Sequence, residues 1–168
     1  MILSQKTAEG GTTLLETSIA ACTAALFLGS LFTMNITGMK TIRTAREASA
    51  ASQVLQQRVE AMRIANWHQI TDATWVKANL LNNKAAGAEN LKQMTETLTL
   101  EPYGGTSTGN TEIQRTAAGA EIRSQNANLL TERAVKVIWT VNYSGGINAQ
   151  PTSRQTVAIL SKGGVAKW

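Results

Sequence analysis

The chain has 168 residues, of which 43% are hydrophobic and 16% charged, and its formal net charge is +5. This length allows one folded domain beside a long helix, because domains commonly span about 50 to 250 residues. The single cysteine, Cys22, excludes an intramolecular disulfide in any compartment.

An uncharged stretch from Thr17 to Met39 dominates the first quarter of the chain. A bilayer-spanning helix needs about 20 mostly apolar residues at about 1.5 Å per residue, and Leu14 to Met39 meets that length. Leu, Ile and Phe side chains each favour insertion by roughly 0.3 to 0.6 kcal/mol. They are Leu14, Leu15, Ile19, Leu26, Phe27, Leu28, Leu31, Phe32 and Ile36. The Thr, Ser, Asn and Glu residues among them offset much of this, so we expect marginal insertion.

Glu16 stands at the start of this apolar stretch. An acidic residue inside a membrane helix indicates a functional role by default, since it needs a partner. The alternative is a first-turn acid that complements the positive end of the helix dipole. The preceding Gly10-Gly11 pair and the lysine Lys6 in the polar leader favour the functional interpretation.

The segment from Gly10 to Glu16, GGTTLLE, resembles the start of type IV pilin and type II secretion pseudopilin precursors. Those precursors carry a glycine, a cleavage point and a Thr-Leu-Leu/Ile-Glu-like start to a hydrophobic helix. The resemblance implies cleavage by a prepilin peptidase between Gly11 and Thr12, with residues 1–11 as the leader peptide, followed by N-methylation of Thr12. Thr12 departs from the family, which usually has an apolar residue there. The resemblance also implies that Glu16, the fifth mature residue, attracts the N-terminal amine of a neighbouring subunit during assembly.

Basic residues follow the apolar stretch at Lys40, Arg43 and Arg46. A nucleic-acid-binding face would be basic, clustered and interleaved with aromatic residues. These three residues do cluster, but they lie where the helix would leave the membrane, so we interpret them as anchors at the level of the lipid headgroups. The positive-inside rule would place the residues after them in the cytoplasm. The family has the opposite topology, in a single pass through the inner membrane, with a cytoplasmic N-terminus and a periplasmic or extracellular domain. We adopt the family topology because the cleavage motif is the more specific signal.

A helix predicted from Thr13 to about Trp67 continues past the membrane segment. Its apolar positions recur at spacings of three and four. They are Ile42, Ala45, Ala48, Ser52, Leu55, Val59 and Met62. The other sides carry polar residues, namely Arg43, Arg46, Glu47, Gln56, Gln57, Arg58, Glu60 and Arg63. Gly29 and Gly38 are weak points at which the helix could bend. We therefore divide the chain into a hydrophobic half-helix at 12–39, an amphipathic half at 40–70 and a globular domain at 71–168.

The rest of the chain is predicted to form an antiparallel sheet after a short helix in the Trp67–Leu81 region. The strongest strand, Ala134 to Tyr143, alternates apolar and polar residues and pairs as a hairpin with Arg154 to Ser161. Thr95 to Glu101 forms a further strand, followed by a loop at Gly104–Asn110. Weaker strands are centred on Ile113 and Ile122. The fold class is thus α+β and pilin-like, with a long N-terminal helix and a small antiparallel sheet packed on its second half.

Nothing in the sequence indicates catalysis, a cofactor or a metal site. There is no Gly-rich phosphate loop with its lysine and no metal-spaced His/Cys set. The only histidine, His68, has just Asp72 near it in sequence. The acids of the soluble part are expected to lie scattered on polar strand faces and in loops. They are Glu96, Glu101, Glu112, Glu121 and Glu132.

Two functions of different classes are compatible with these features. The first is a structural subunit of a type IV pilus or type II secretion pseudopilus, whose partners are the prepilin peptidase, other pilin or pseudopilin subunits, the inner-membrane assembly platform and membrane lipid. The second is a single-pass, membrane-anchored binding module that does not polymerise. Many pilins close their C-terminal region with a disulfide, so the cysteine count favours a minor pilin or pseudopilin. The machine served, the position in a filament and the partner of the C-terminal domain stay open.

Overall fold

The computed structural model describes residues 14–105, 107–146 and 149–163. By its internal contacts the chain divides into two compact units, Met1–Thr41 and Ile42–Trp168. The first unit consists, in its described part, of helix alone, and the second holds the globular domain.

The first helix, α1, runs from Leu14 to Ile64 and continues through Gly29 and Gly38 without a break. It ends slightly before the predicted Trp67. The reason is Asn66, whose side chain accepts a hydrogen bond from Gln69 N at 2.9 Å while Gln69 Oε1 accepts one from Asn66 N at 3.0 Å. This capping box starts a new helix and so terminates the previous one.

Short helical elements connect α1 to the sheet, as the sequence predicted. They are α2 (Trp67–Thr71), α3 (Ala73–Val76), a π-helical turn (Lys77–Leu81) and a 3₁₀ turn (Ala88–Asn90). Asp72 caps α3 by accepting a hydrogen bond from Thr74 N at 2.8 Å. The Trp67 indole donates to Leu130 O at 3.1 Å and so ties α2 to the globular domain.

Five antiparallel strands form one sheet in the order β3-β2-β1-β4-β5. Their bounds are β1 (Lys92–Pro102), β2 (Thr111–Thr116), β3 (Gly119–Ser124), β4 (Ala134–Gly145) and β5 (Gln150–Ser161). The predicted hairpin is confirmed, since β4 pairs with β5 from Ala134↔Ser161 to Gly145↔Gln150. The two weaker strands are also confirmed and pair with each other at Ile113↔Ile122.

The core lies between the inward face of this sheet and the second half of α1. The inward row of β4 is fully apolar and buried, as its alternation predicted, and consists of Val135, Val137, Trp139, Val141 and Tyr143. Helix α1 contributes Ala51, Val54, Leu55 and Met62 to the same cluster. The predicted α+β fold, with a long helix and an antiparallel sheet packed on its second half, is therefore confirmed.

The face of α1 that packs on the sheet differs in part from the predicted one. Ile42, Ala45 and Ser52 are exposed, whereas Glu47 and Arg58, which were assigned to the polar sides, are buried. Both buried residues have charged partners, and burial of a charge is tolerated when it is paired and hydrogen-bonded. Such ion pairing cannot be recognised from the spacing of hydrophobic residues along the sequence.

Glu96 was predicted on a polar strand face, and that assignment is wrong, since its side chain is fully buried on the inward face of β1. Its carboxylate accepts hydrogen bonds from Arg58 Nε at 2.9 Å and from Arg115 Nη1 at 3.0 Å. The Arg58 guanidinium also donates to the backbone carbonyls of Leu80 and Asn83. An ion triad of Glu96, Arg58 and Arg115 thus joins α1, β1 and β2 inside the core.

We expect Glu96→Gln to destabilise the domain by about 3 to 5 kcal/mol, because it leaves two buried guanidinium groups without a countercharge. The measurement is thermal or urea unfolding of the full chain in detergent, with tryptophan fluorescence as the signal. Glu101→Gln is the matched control, since Glu101 lies on the same strand and pairs with Lys136 at 3.1 Å in a half-exposed setting. Glu101→Gln should lower the free energy of unfolding by less than about 1 kcal/mol. Equal costs for the two variants would contradict a structural role for the triad.

Candidate functional site

The first half of α1 is exposed along its whole length, from Leu14 to Ile42. Its large apolar side chains are between 47% exposed at Leu31 and 86% exposed at Leu14. They are Leu14, Leu15, Ile19, Leu26, Phe27, Leu28, Leu31, Phe32, Met34, Ile36, Met39 and Ile42. Monomeric soluble proteins rarely leave so large an apolar surface uncovered. This half of the helix is long and apolar enough to cross a membrane, with a mean hydropathy of 1.8 over its most apolar window.

Every Ser and Thr hydroxyl between Leu14 and Thr41 bonds to a carbonyl of the same helix, three or four residues earlier. One example is the series in which Thr33 donates to Gly29 O, Thr37 to Thr33 O and Thr41 to Thr37 O, at 2.9, 2.9 and 3.1 Å. The others are Thr17, Ser18, Thr23 and Ser30. A hydroxyl that is already bonded costs less to move out of water than a free one. These bonds reduce the cost that the Ser and Thr residues were expected to add to insertion.

Glu16, the residue predicted to guide assembly, lies in the first described turn of α1 and is exposed beside Leu15 and Ile19. An acid at this position complements the partial positive charge of the helix N-terminus. The predicted cleavage residues Gly11 and Thr12 lie outside the described residues. Cys22 is exposed on the apolar half.

A polar contact follows the apolar half and ties α1 to the β4–β5 turn. The buried Glu47 carboxylate accepts a hydrogen bond from Arg43 Nε at 3.0 Å and one from Gly146 N at 2.7 Å. The Gly146 bond lowers the pKa of the Glu47 carboxyl below its usual range, burial acts in the opposite direction, and the charges of Arg43 and Lys92 lower the pKa further. Arg43, predicted as a headgroup anchor, is therefore partly engaged by the protein itself.

Among the described residues, no group of three or more His, Cys, Asp or Glu side chains is arranged to hold a metal ion. His68 is exposed on α2. Glu132 reaches the 103–110 loop, where its carboxylate accepts a hydrogen bond from Ser107 Oγ and lies against Gly105. That contact was not foreseen, and it serves to hold the loop.

Comparisons with models of protein families, with curated proteins and with solved structures find no match to this chain.

We expect the stabilisation by Glu47 to depend on pH. A carboxyl with a lowered folded-state pKa stabilises the fold above its unfolded pKa of about 4.3, and this contribution is lost as the pH falls through the folded value. Glu47→Gln, which keeps an acceptor for Gly146 N, should therefore lower the melting temperature at neutral pH. The difference from wild type should shrink below about pH 4.3.

The measurement is the melting temperature of the full chain in detergent across that pH range. Glu60→Gln is the matched control, since Glu60 is an exposed acid on the same helix that pairs with the exposed Arg63 across one turn. It should change the melting temperature little at any pH. A Glu47→Gln effect that stays constant from neutral to acidic pH would show that the charge of Glu47 is not the stabilising feature.

Proposed function

We propose that this protein is a structural subunit, a minor pilin or pseudopilin, that is processed by a prepilin peptidase and assembled through α1 into a type IV pilus or type II secretion pseudopilus. The observation that carries the proposal is the division of α1. Its second half forms the core with the sheet, and its first half leaves its large apolar side chains uncovered. A subunit that passes from a bilayer into a filament needs one apolar surface for both environments.

The energetics of the first half fit such a transfer. Its nine Leu, Ile and Phe residues up to Ile36 favour insertion by about 3 to 5 kcal/mol in total. The Ser and Thr hydroxyls are satisfied within the helix and need no partner in either environment. The helix can therefore leave lipid for a protein core without breaking those hydrogen bonds. A permanently anchored module could use such a helix as well, so Glu16 and the processing motif distinguish the two functions, because a plain anchor gains nothing from either.

Glu16 supplies the specific element of the proposal. A carboxylate in the first turn of an apolar helix favours a cationic partner when water is excluded. Cleavage after Gly11 would create a cationic amine at Thr12, four residues before Glu16. In the families that GGTTLLE resembles, the corresponding glutamate pairs with that amine on a neighbouring subunit. The proposed role of Glu16 is thus to set the register between adjacent α1 helices.

The globular domain supports a minor subunit in particular. The only cysteine lies in the apolar half of α1, so no disulfide closes the domain. The ion triad and the Glu47–Gly146 contact fasten the sheet to the helix instead. In the proposed topology the leader is cytoplasmic, α1 passes the inner membrane once and the domain is periplasmic or extracellular.

Prepilin-type processing predicts a mature chain that begins at Thr12. The test is the N-terminal mass of the protein purified from its native membranes, for wild type and for Gly11→Val. We expect a wild-type terminus at Thr12, with or without a methyl group, and an uncleaved precursor in the variant. An intact Met1 terminus in the wild type would overturn the processing step and favour the anchored binding module.

Assembly through Glu16 predicts a defect that is separate from processing. Glu16→Ala should insert into the membrane and be cleaved like the wild type, and its incorporation into filaments purified from native cells should fall about tenfold or more, as expected for loss of a desolvated charge pair. Glu60→Ala removes the same charge from the exposed second half of α1 and should incorporate normally. Normal incorporation of Glu16→Ala into filaments would show that Glu16 has no role in assembly.

A further inference from the structure

A cavity of about 410 Å³ lies within the second unit, between α1 and the segment that leads into β1. Residues of α1 from Arg43 to Gln53 form one wall, and Asn90 and Lys92 form the other. Its lining residues carry three cationic side chains and one carboxylate. They are Arg43, Arg46, Glu47, Ser49, Ala50, Gln53, Asn90 and Lys92.

The one carboxylate of the cavity is already engaged. Glu47 accepts hydrogen bonds from Arg43 Nε and Gly146 N, so its charge is largely compensated by groups of the protein. Within the described part of the chain, the side chains of Arg46 and Lys92 have no carboxylate within ion-pairing distance. The cavity therefore has a net positive charge and two cations available for a ligand.

A glycine lies where the chain approaches the second wall of the cavity. Gly87, which precedes the 3₁₀ turn, has a φ of +90°, and a Cβ there would lie 3.5 Å from Ala50 O and 3.4 Å from Gln53 Oε1. The chain at Gly87 thus passes α1 at ordinary contact distance, in a backbone conformation that favours glycine. Lys92, five residues later, lines the cavity together with Arg43 and Arg46 of α1.

The functional groups match a phosphate ester. A guanidinium offers a planar fork of donors to phosphate oxygens, and an ammonium adds a point charge. Ser49, Gln53 and Asn90 provide neutral hydrogen-bonding groups at the same cavity. A carboxylate ligand would fit the charge but offers only two acceptor oxygens, whereas a phospholipid phosphodiester offers two charged non-bridging oxygens and two ester oxygens.

The position of the cavity along α1 indicates the source of the phosphate. Arg43 and Arg46 follow Met39, the last apolar residue of the proposed span, by roughly 6 and 10 Å of helix rise. The headgroup layer on each side of a bilayer is about 5 to 7 Å deep. When the apolar half of α1 fills the hydrocarbon layer, Arg43 therefore lies at the depth of the lipid phosphates. Arg46 lies a few Å above that depth, a distance that its long side chain can span.

We propose that the cavity lined by Arg43, Arg46 and Lys92 binds the phosphate of an anionic phospholipid headgroup. A bound lipid would link the base of the globular domain to the membrane surface through the domain's own residues, and not only through the helix. The inference rests on the membrane insertion of α1, which is part of the proposed function, but it does not depend on cleavage or on filament assembly.

The test is lipid retention by the full chain in nanodiscs of phosphatidylcholine with a minority of phosphatidylglycerol. After the protein is released from the nanodiscs, native mass spectrometry counts how many lipids of each kind stay bound to it. We expect the wild type to retain phosphatidylglycerol in preference to phosphatidylcholine. The double variant Arg46→Gln/Lys92→Gln should lose that preference by about tenfold or more, since each cation near the surface contributes to binding.

The matched control is the double variant Arg154→Gln/Lys162→Gln, which removes one cation on β5 and one just after it. Neither cation has a carboxylate within ion-pairing distance among the described residues. This control should retain phosphatidylglycerol like the wild type. If both double variants lose the preference for phosphatidylglycerol equally, net charge alone explains the effect and the proposed site is wrong. The proposed site is also wrong if the wild type shows no preference between the two lipids. Melting temperatures of all variants establish that the domain is folded.

A second arm separates lipid from free phosphate. Inorganic phosphate and glycerol phosphate are titrated into the chain in a neutral detergent and followed by calorimetry. We expect no saturable binding, because the acyl chains of a lipid in the bilayer hold its headgroup at the cavity. The cavity would instead be a site for free phosphate if wild type binds one of these phosphates saturably and Arg46→Gln/Lys92→Gln abolishes that binding while lipid retention stays unchanged. Insertion into the nanodisc is scored separately, so that a failure to insert counts against the proposed function.

Discussion

The globular domain depends on one buried carboxylate. Glu96 faces two guanidinium groups, one from α1 and one from β2, and all three side chains are withdrawn from water. Each charge would be costly alone, so the three tolerate burial only together. The Arg58 guanidinium lies 5.8 Å from the centre of the Trp139 ring and also bonds the carbonyls that end the π-helical turn. A single polar cluster thereby connects the helix, three strands and the segment between them.

Apolar patterning was enough to predict much of the sheet. The alternation in β4 is unbroken because every inward residue from Val135 to Tyr143 is apolar, and the strands at Ile113 and Ile122 each have one inward isoleucine that marks them. Patterning failed at Glu96 because a carboxylate was taken to face water. Its parity with Leu98 and Leu100 on β1 was the signal that placed it inward. Whether a charged residue such as Glu96 is buried depends on partners that are distant in sequence, and the local residue pattern carries no information about those partners.

The candidate site was predictable in position but not in detail. The uncharged run and Glu16 located the exposed half of α1 before its structure was known, because hydrophobicity over about 20 residues is a strong signal. The hydroxyl–carbonyl bonds of its Ser and Thr residues were not foreseen, since counting residue types ignores bonds within the helix. The cavity at Arg46 and Lys92 was not foreseen, because it requires Asn90 and Lys92 to lie against α1, and no periodicity predicts that contact. Gly87 was the one local hint, as a positive φ favours glycine.

The two polar attachments between α1 and the sheet also have a mechanical consequence. Glu47 bonds the β4–β5 turn and Arg58 bonds the middle of β1, and these residues are separated by about 16 Å of helix rise. A force that draws α1 away from the sheet would have to break both contacts. Since β1 and β4 pair with each other, the two contacts attach the helix to neighbouring strands that share one ladder of hydrogen bonds.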